Sequence, residues 1–178
     1  KYREGLVKNR YIGRTFIMPG DHIRRKSIRQ KLNPIRDVFR GKNVLLVDDS
    51  IVRGNTSRSI IQMVRESGAK KIFFASSSSP LTNPCVYGID MQTKGEFVAK
   101  GLTVQQIAKK IGADGVIYQD IKDMEQAVKK ENRRIKSFCK ACFNGQYPTG
   151  DVSPKILKQI EEERQAKKQQ TEPGMGYI

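Results

Sequence analysis

The stretch "NVLLVDDSIVRGNTS", residues 43–57, is where this sequence is most specific. Val44 to Val47 form an unbroken apolar run that ends in two adjacent aspartates, with Arg53, Gly54 and a set of amide and hydroxyl side chains close behind. A short continuous apolar run reads as a strand of a sheet covered on both faces, as parallel sheets are. Asp48 and Asp49 then stand at its carboxyl end, outside which ligands bind in open α/β sheets. Neighbouring carboxylates repel one another, so keeping both ionised is costly unless they meet a vicinal diol, a metal ion or metal-bound water. Thr56 or Ser57 is expected to cap a following helix, whose first backbone N–H groups and dipole favour a phosphate. Gly54 lets the backbone approach a ligand closely, and Ser50, Thr56 and Ser57 offer hydroxyl donors. A diol at the carboxylates and a phosphate at the helix start together describe a ribose 5-phosphate. The bland alternative is a strand end with solvated aspartates and an ordinary cap. A Walker loop is excluded, because the G-x-x-x-x-G-K pattern is absent.

Outward from this stretch the pattern repeats. The helix after Gly54 turns Ile60, Ile61 and Val64 to one side and stops at Gly68. A strand is expected over Ile72–Ala75, then a loop over 76–88 rich in Ser, Pro and Asn. A helix over Thr103–Ile111, a strand over Gly115–Tyr118 and a helix over Lys122–Lys130 follow. Alternating strands and helices argue for an α/β domain with a largely parallel sheet. From Asp151 the character changes: Ser153 and Pro154 suit a cap and first turn for a helix charged on most faces. The expected organisation is therefore a domain over residues 1–150 and a C-terminal helix and tail over 151–178.

The chain has 178 residues, 37% of them apolar, and 34 Lys and Arg against 18 Asp and Glu, a net charge of +16. No run of 18 apolar residues offers a membrane span, and no signal-peptide pattern opens the chain. It starts at Lys1 without an initiator Met, which is expected of a fragment or processed product. The positive charge fits either nucleic acid or a polyphosphate substrate. With no Trp and no RNP-like or zinc-finger spacing, nucleic acid is the weaker of the two. Residues 8–32 carry eight Lys or Arg and a single Asp, broken by Gly13, Pro19 and Gly20, and long irregular segments of that kind are usually functional or disordered. Three cysteines are present: Cys85, and Cys139 with Cys142 in a C-x-x-C. That spacing suits a metal or cluster; inert buried thiols, or a zinc site completed by His22, are the other readings.

The blocks "EGLVKNRYIGRTFI", "RRKSIRQKLNP", "GKNVLLVDDSIVRG", "ESGAKKI", "PCVYGIDM", "IGADGVIYQD" and "CFNGQYPTG" resemble, in that order, the amidophosphoribosyltransferases among the type I phosphoribosyltransferases. The resemblance covers residues 1 to about 150. It implies a type I phosphoribosyltransferase-like α/β fold that lacks its N-terminal part here. It also implies transfer of ammonia from glutamine to phosphoribosyl pyrophosphate, the first committed step of purine synthesis, in a cytoplasmic homo-oligomer. Carried over residue by residue, Asp48 and Asp49 contact Mg²⁺ and the ribose hydroxyls. Ser50, Ile51, Val52, Arg53, Gly54, Asn55, Thr56 and Ser57 form the 5-phosphate loop. Asn55 departs from the family's usual Thr, which should alter affinity without abolishing binding.

The resemblance makes residues 8–32 a loop that closes over substrate. Lys8, Arg14 and Lys31 would then be its catalytic, substrate-facing cations, and Tyr11 and Phe16 would line an ammonia route. It implies a 4Fe–4S cluster held by Cys85, Cys139 and Cys142, as in one subgroup, with a fourth cysteine from an earlier part of the chain. It further implies that the glutaminase half, the pyrophosphate loop and another Mg²⁺ contact precede residue 1. The reading from another class is a phosphoribosyltransferase-like regulator that binds phosphoribosyl pyrophosphate and nucleic acid. The "KNRYIGRTFI" stretch and the cysteines weigh against it, since a sensor needs neither.

Overall fold

A computed structural model describes residues 1–9, 32–89, 94–132 and 134–171. Strand β1 (Leu6–Lys8) pairs antiparallel with β2 (Leu32–Pro34), and Lys8 lies opposite Leu32. That pairing joins the two ends of the basic stretch 8–32. A short helix, α1 (Arg36–Phe39), then drives Phe39 into the core and leads to β3 (Asn43–Asp48).

From β3 the chain winds through α2 (Asn55–Glu66), β4 (Lys71–Ser76), α3 (Val104–Ile111) and β5 (Gly115–Tyr118). The three strands form a parallel sheet in the order β3-β4-β5, so each neighbouring pair is joined across a helix. The chain continues as α4 (Ile121–Glu131), α5 (Ala141–Asn144) and α6 (Pro154–Thr171).

Strand alternation decides the core. Ile72 and Phe74 of β4 are buried under Ile61 and Val64 of α2 and Ile107 and Ile111 of α3, with Val44, Leu46, Val116 and Tyr118 packed around them. Arg65 of α2 is fastened to the carboxylate of Asp114 at 2.9 Å and to the carbonyl of Gly112 at 2.9 Å, while Asp114 also accepts from the amide of Ile72. Helix, loop and strand are thereby locked in register beside the apolar layer. The amide of Ile72 first, and the guanidinium of Arg65 second, hold Asp114 below the usual carboxylate range by donating to its carboxylate.

The opposite face differs from the expectation of a sheet covered on both sides. Val47, Ala75 and Ile117 share one row across the three strands. Leu45, Val47 and Ile117 are 56%, 70% and 55% exposed, so among the described residues helices cover one face only. The continuous apolar run thus records two faces that are both apolar in chemistry, of which this stretch of chain buries one.

The start of α2 is also a correction. Neither Thr56 nor Ser57 caps it: the helix begins at Asn55, with Gly54 at the cap position in a left-handed conformation (φ 79°) and no side-chain cap bond. Ser57 is buried instead. The later helices follow their sequence signals more closely. Thr103 and Gln106 form a reciprocal capping box at α3, Asp120 caps α4, and the hydroxyl of Ser153 accepts from the amide of Ile156 at α6.

Candidate functional site

Two constellations stand apart from the core. The first is the turn from β3 to α2. Asp48 ends its strand on the core-facing side and is half-buried; burial pushes its carboxyl above the usual value, the amide of Asp49 opposes this, and the Asp49 carboxylate adds to it. The amide of Asp49 donates to Oδ1 of Asp48 at 3.0 Å, and the hydroxyl of Ser50 donates to Oδ1 of Asp49 at 2.9 Å. The carbonyl of Asp48 accepts from Ser77 at 2.9 Å, which ties the site to the end of β4.

Beyond the aspartates the loop is anchored from below. Ile51 is 1% exposed and belongs to the core, so anything it offers a ligand comes from its backbone. The carbonyl of Val52 accepts from the amide of Val98 at 2.8 Å. Arg53 pairs with Glu96 at 2.9 Å, which makes it a fastener of the loop. Gly54 is required twice: its φ is positive, and a Cβ there would lie 2.9 Å from Cγ2 of Ile111. Close packing of the helix start against α3 is therefore its role in this fold. Asn55 and Thr56 are exposed at the first turn. That turn carries no acidic residue and no side-chain cap, while α3 and α4 both have caps. A helix start with no side-chain cap and no acidic residue in its first turn has the chemistry that favours an anion.

The sequence reading missed the fastening residues Glu96 and Val98. They lie more than forty residues along the chain from the loop they hold, and no local pattern marks them. Lys8 is exposed at the end of β1. Arg14, Lys31, Tyr11, Phe16 and His22 fall outside the described residues.

The second constellation is a cavity of about 360 Å³ lined by Cys85, Cys139 and Cys142 together with Tyr87, Ile89 and Thr149. Its two walls are distant in sequence and stitched by hydrogen bonds. The amides of Thr82 and Asn83 both donate to the carbonyl of Cys142 at 3.0 Å. The hydroxyl of Thr82 donates to the carbonyl of Phe143 at 2.8 Å, and that of Tyr147 to the carbonyl of Pro84 at 2.8 Å. Lys140, between the two cysteines of the C-x-x-C, is clamped by Glu125 of α4 at 2.7 Å. Burial pushes the thiol of Cys142 up, and the neighbouring Cys139 and Cys85 push it further.

The donor sets can be tested against the groups the resemblance implies. Asp48 and Asp49 supply hard oxygen ligands, as magnesium requires, and magnesium is commonly held by one or two carboxylates plus substrate phosphates. Among the described residues no three or more His, Cys, Asp or Glu side chains are placed to hold a single metal ion. A four-iron cube puts each thiolate on its own iron and so wants its ligands farther apart. Three thiols around one largely apolar cavity fit that group.

Comparison with known proteins agrees with the geometry. No protein-family model matches the chain. It is 54% identical over 163 residues to the amidophosphoribosyltransferase of Pasteurella multocida, covering 92% of this chain and 32% of that protein. To the Escherichia coli amidophosphoribosyltransferase it is 56% identical over 156 residues, 88% of this chain and 31% of that one. In structure it matches an allosteric regulatory enzyme of purine biosynthesis with a TM-score of 0.72 and 41% identity, over 90% of this chain and 35% of the other. It also matches the glutamine phosphoribosylpyrophosphate amidotransferase of B. subtilis in complex with ADP and GMP, with a TM-score of 0.69 and 40% identity, over 88% of this chain and 35% of that one. The chain spans about a third of the length of these relatives, and over that third, in sequence and in fold alike, it belongs to the amidophosphoribosyltransferase family.

Proposed function

We propose that this chain is the phosphoribosyl-pyrophosphate-binding part of an enzyme that joins ammonia to the anomeric carbon of that substrate, releasing pyrophosphate and forming phosphoribosylamine. The observation that carries the reading is the uncapped start of α2, free of acidic residues, directly after the Asp48–Asp49 pair. In this reading the amides of the first turn and the side chains of Asn55 and Thr56 hold the 5-phosphate. Asp48 and Asp49 receive the ribose hydroxyls at the other end of the same turn. Placing both ends of one sugar phosphate on a rigid turn fixes the anomeric carbon relative to the incoming amine.

The nitrogen lone pair forms the new C–N bond as the C–O bond to pyrophosphate breaks, and pyrophosphate leaves with the bonding electrons. The surplus proton on nitrogen passes to solvent or to the departing phosphate. No protein nucleophile is needed. Magnesium, when bound at Asp48 and Asp49, supplies charge neutralisation for the leaving group. Lys8, Arg14 and Lys31 are assigned to the same charge, and Tyr11 and Phe16 to the ammonia route. The ammonia would come from glutamine through a glutaminase part of the same longer polypeptide, in a homo-oligomer. Cys85, Cys139 and Cys142 would hold a 4Fe–4S cluster, which supplies a covalent cross-link between the loop around residue 85 and the C-x-x-C.

The test is pyrophosphate release by the full natural polypeptide with magnesium, given ammonium or glutamine, beside the Asp48→Asn/Asp49→Asn double variant. The expected outcome is release that depends on an amine donor and falls by at least about a hundredfold in the variant, on the scale of a lost electrostatic contact at a reacting centre. Release without an amine donor, or undiminished in the double variant, would refute the assignment.

A further inference from the structure

Tyr87 touches the three-thiol cavity in three separate ways. Its amide donates to the sulfur of Cys85 at 3.4 Å. Its hydroxyl pairs with that of Thr149 at 2.9 Å, and the amide of Thr149 donates to it at 3.5 Å. Its ring leans on that of Tyr147, with centroids 6.2 Å apart and planes inclined at 57°. Tyr147 in turn donates to the carbonyl of Pro84, the residue before Cys85. One residue thus belongs to the Cys85 wall by its backbone and to the opposite wall by its side chain.

We propose that Tyr87 is the positioning residue of the three-thiol site: its amide holds the Cys85 sulfur while its hydroxyl, clasped to Thr149, joins the two walls at the cavity rim. The inference rests on the iron–sulfur reading for what the site holds, though not for the clasp itself.

The physical argument is one of sequence separation. Cys85 lies 54 residues before Cys139 (139 − 85), so the order of the three sulfurs depends on contacts between walls. Thr82, Asn83 and Tyr147 make such contacts behind the lining, to the carbonyls of Cys142, Phe143 and Pro84. At the rim, Tyr87 and Thr149 both line the cavity, and both are solvent-exposed. Cys85 and Cys142 beside this pair are part-buried and Cys139 is exposed, so the pair acts by placing the sulfurs. An N–H donated to a ligating sulfur also stabilises its thiolate form, and hydrogen bonds to cluster sulfurs tune the potential.

The test uses the full natural polypeptide carrying Tyr87→Phe, Thr149→Val, the two combined, and Tyr87→Leu. In the metal-free protein, alkylation rates of Cys85, Cys139 and Cys142 are followed by mass spectrometry, with circular dichroism to confirm the fold. Both Tyr87→Phe and Thr149→Val delete the hydroxyl–hydroxyl bond, and Tyr87→Phe also removes the acceptor of the Thr149 amide. Each should speed alkylation by up to about tenfold, the factor equivalent to about 1.4 kcal/mol of lost closure. The combined variant should be no faster than Tyr87→Phe alone, and Tyr87→Leu, which also loses the ring, should be fastest. Rates equal to wild type, or additive effects in the combined variant, would overturn the clasp. Anaerobic reconstitution with ferrous iron and sulfide provides the second arm. Iron and sulfide retained by the wild type, with the reduction potential shifted in Tyr87→Leu, supports the whole inference. A wild type that retains neither refutes the iron–sulfur reading, while the alkylation rates still decide the clasp.

Discussion

The turn after β3 and the thiol cavity are two constellations of one small fold, and they are built in opposite ways. The turn is contiguous: Asp48 to Ser57 follow one another, with neighbour hydrogen bonds at the aspartates and anchors to Ser77, Glu96 and Val98 beneath. The cavity is non-local: its cysteines come from segments more than fifty residues apart, and cross-wall hydrogen bonds bring them together. A local site is specified by the backbone habit of its own residues, so distant changes disturb it only through the packing beneath. A non-local site depends on each stitch between its walls. The two should fail differently.

The sharpest way to break the contrast is Gly54→Val, because this residue joins the local turn to the core. A β-branched side chain at φ 79° with its Cβ 2.9 Å from Ile111 should destabilise the fold by about 2–5 kcal/mol and abolish substrate binding. Denaturant titration and equilibrium binding of phosphoribosyl pyrophosphate would check both.

Thr82→Val is the counterpart in the cavity. It removes the hydroxyl bond to the carbonyl of Phe143 and should cost about 1 kcal/mol while leaving substrate affinity unchanged. A variant that also weakened substrate binding would mean the two sites are coupled.

A smaller effect of opposite sign is expected at Asp48. Because burial raises its folded-state pKa above 3.8, ionisation opposes folding, and the penalty is complete only above the folded value. Asp48→Asn should therefore raise the melting temperature of the ligand-free protein at neutral pH, by a gain of less than about 1 kcal/mol. The gain should vanish as pH falls below 3.8, and substrate binding should be lost throughout. A lower melting temperature at neutral pH would show that the carboxylate stabilises the turn.

The smallest effect belongs to Glu125, held between Lys129 and Lys140 with its pKa lowered from 4.5 to about 2. A depressed carboxyl contributes stability that is present above 4.5 and is lost as pH falls toward about 2. The Glu125 side chain is part-buried but its lysine partners reach solvent, so high salt should weaken the contribution. Titration of Glu125 by NMR in low and high salt would show whether the clamp on Lys140 survives.

How much could be read in advance follows the same division. The strand at 44–47, the turn after it and the helix over Thr103–Ile111 are legible because each is a short-range habit of the residues involved. The cap of α2 was misplaced because Thr56 and Ser57 are good capping types, while the packing of Gly54 against Ile111 starts the helix earlier. The exposed row of Val47 and Ile117 was not foreseen, since an apolar run reports chemistry without reporting what covers it.

By itself, then, the sequence determined the alternating α/β plan, the acidic pair at a strand end and the presence of a cysteine set. Hydrophobic period, turn chemistry and residue type act over a few residues and survive without a fold. Only the tertiary structure decided that Arg53 turns to Glu96, that Val98 supports the turn from below, and that Tyr87 and Thr149 close the rim of the thiol cavity. Those pairings join residues far apart in the chain, and their partners become neighbours only when burial of the shared core has offset the entropy of bringing them together.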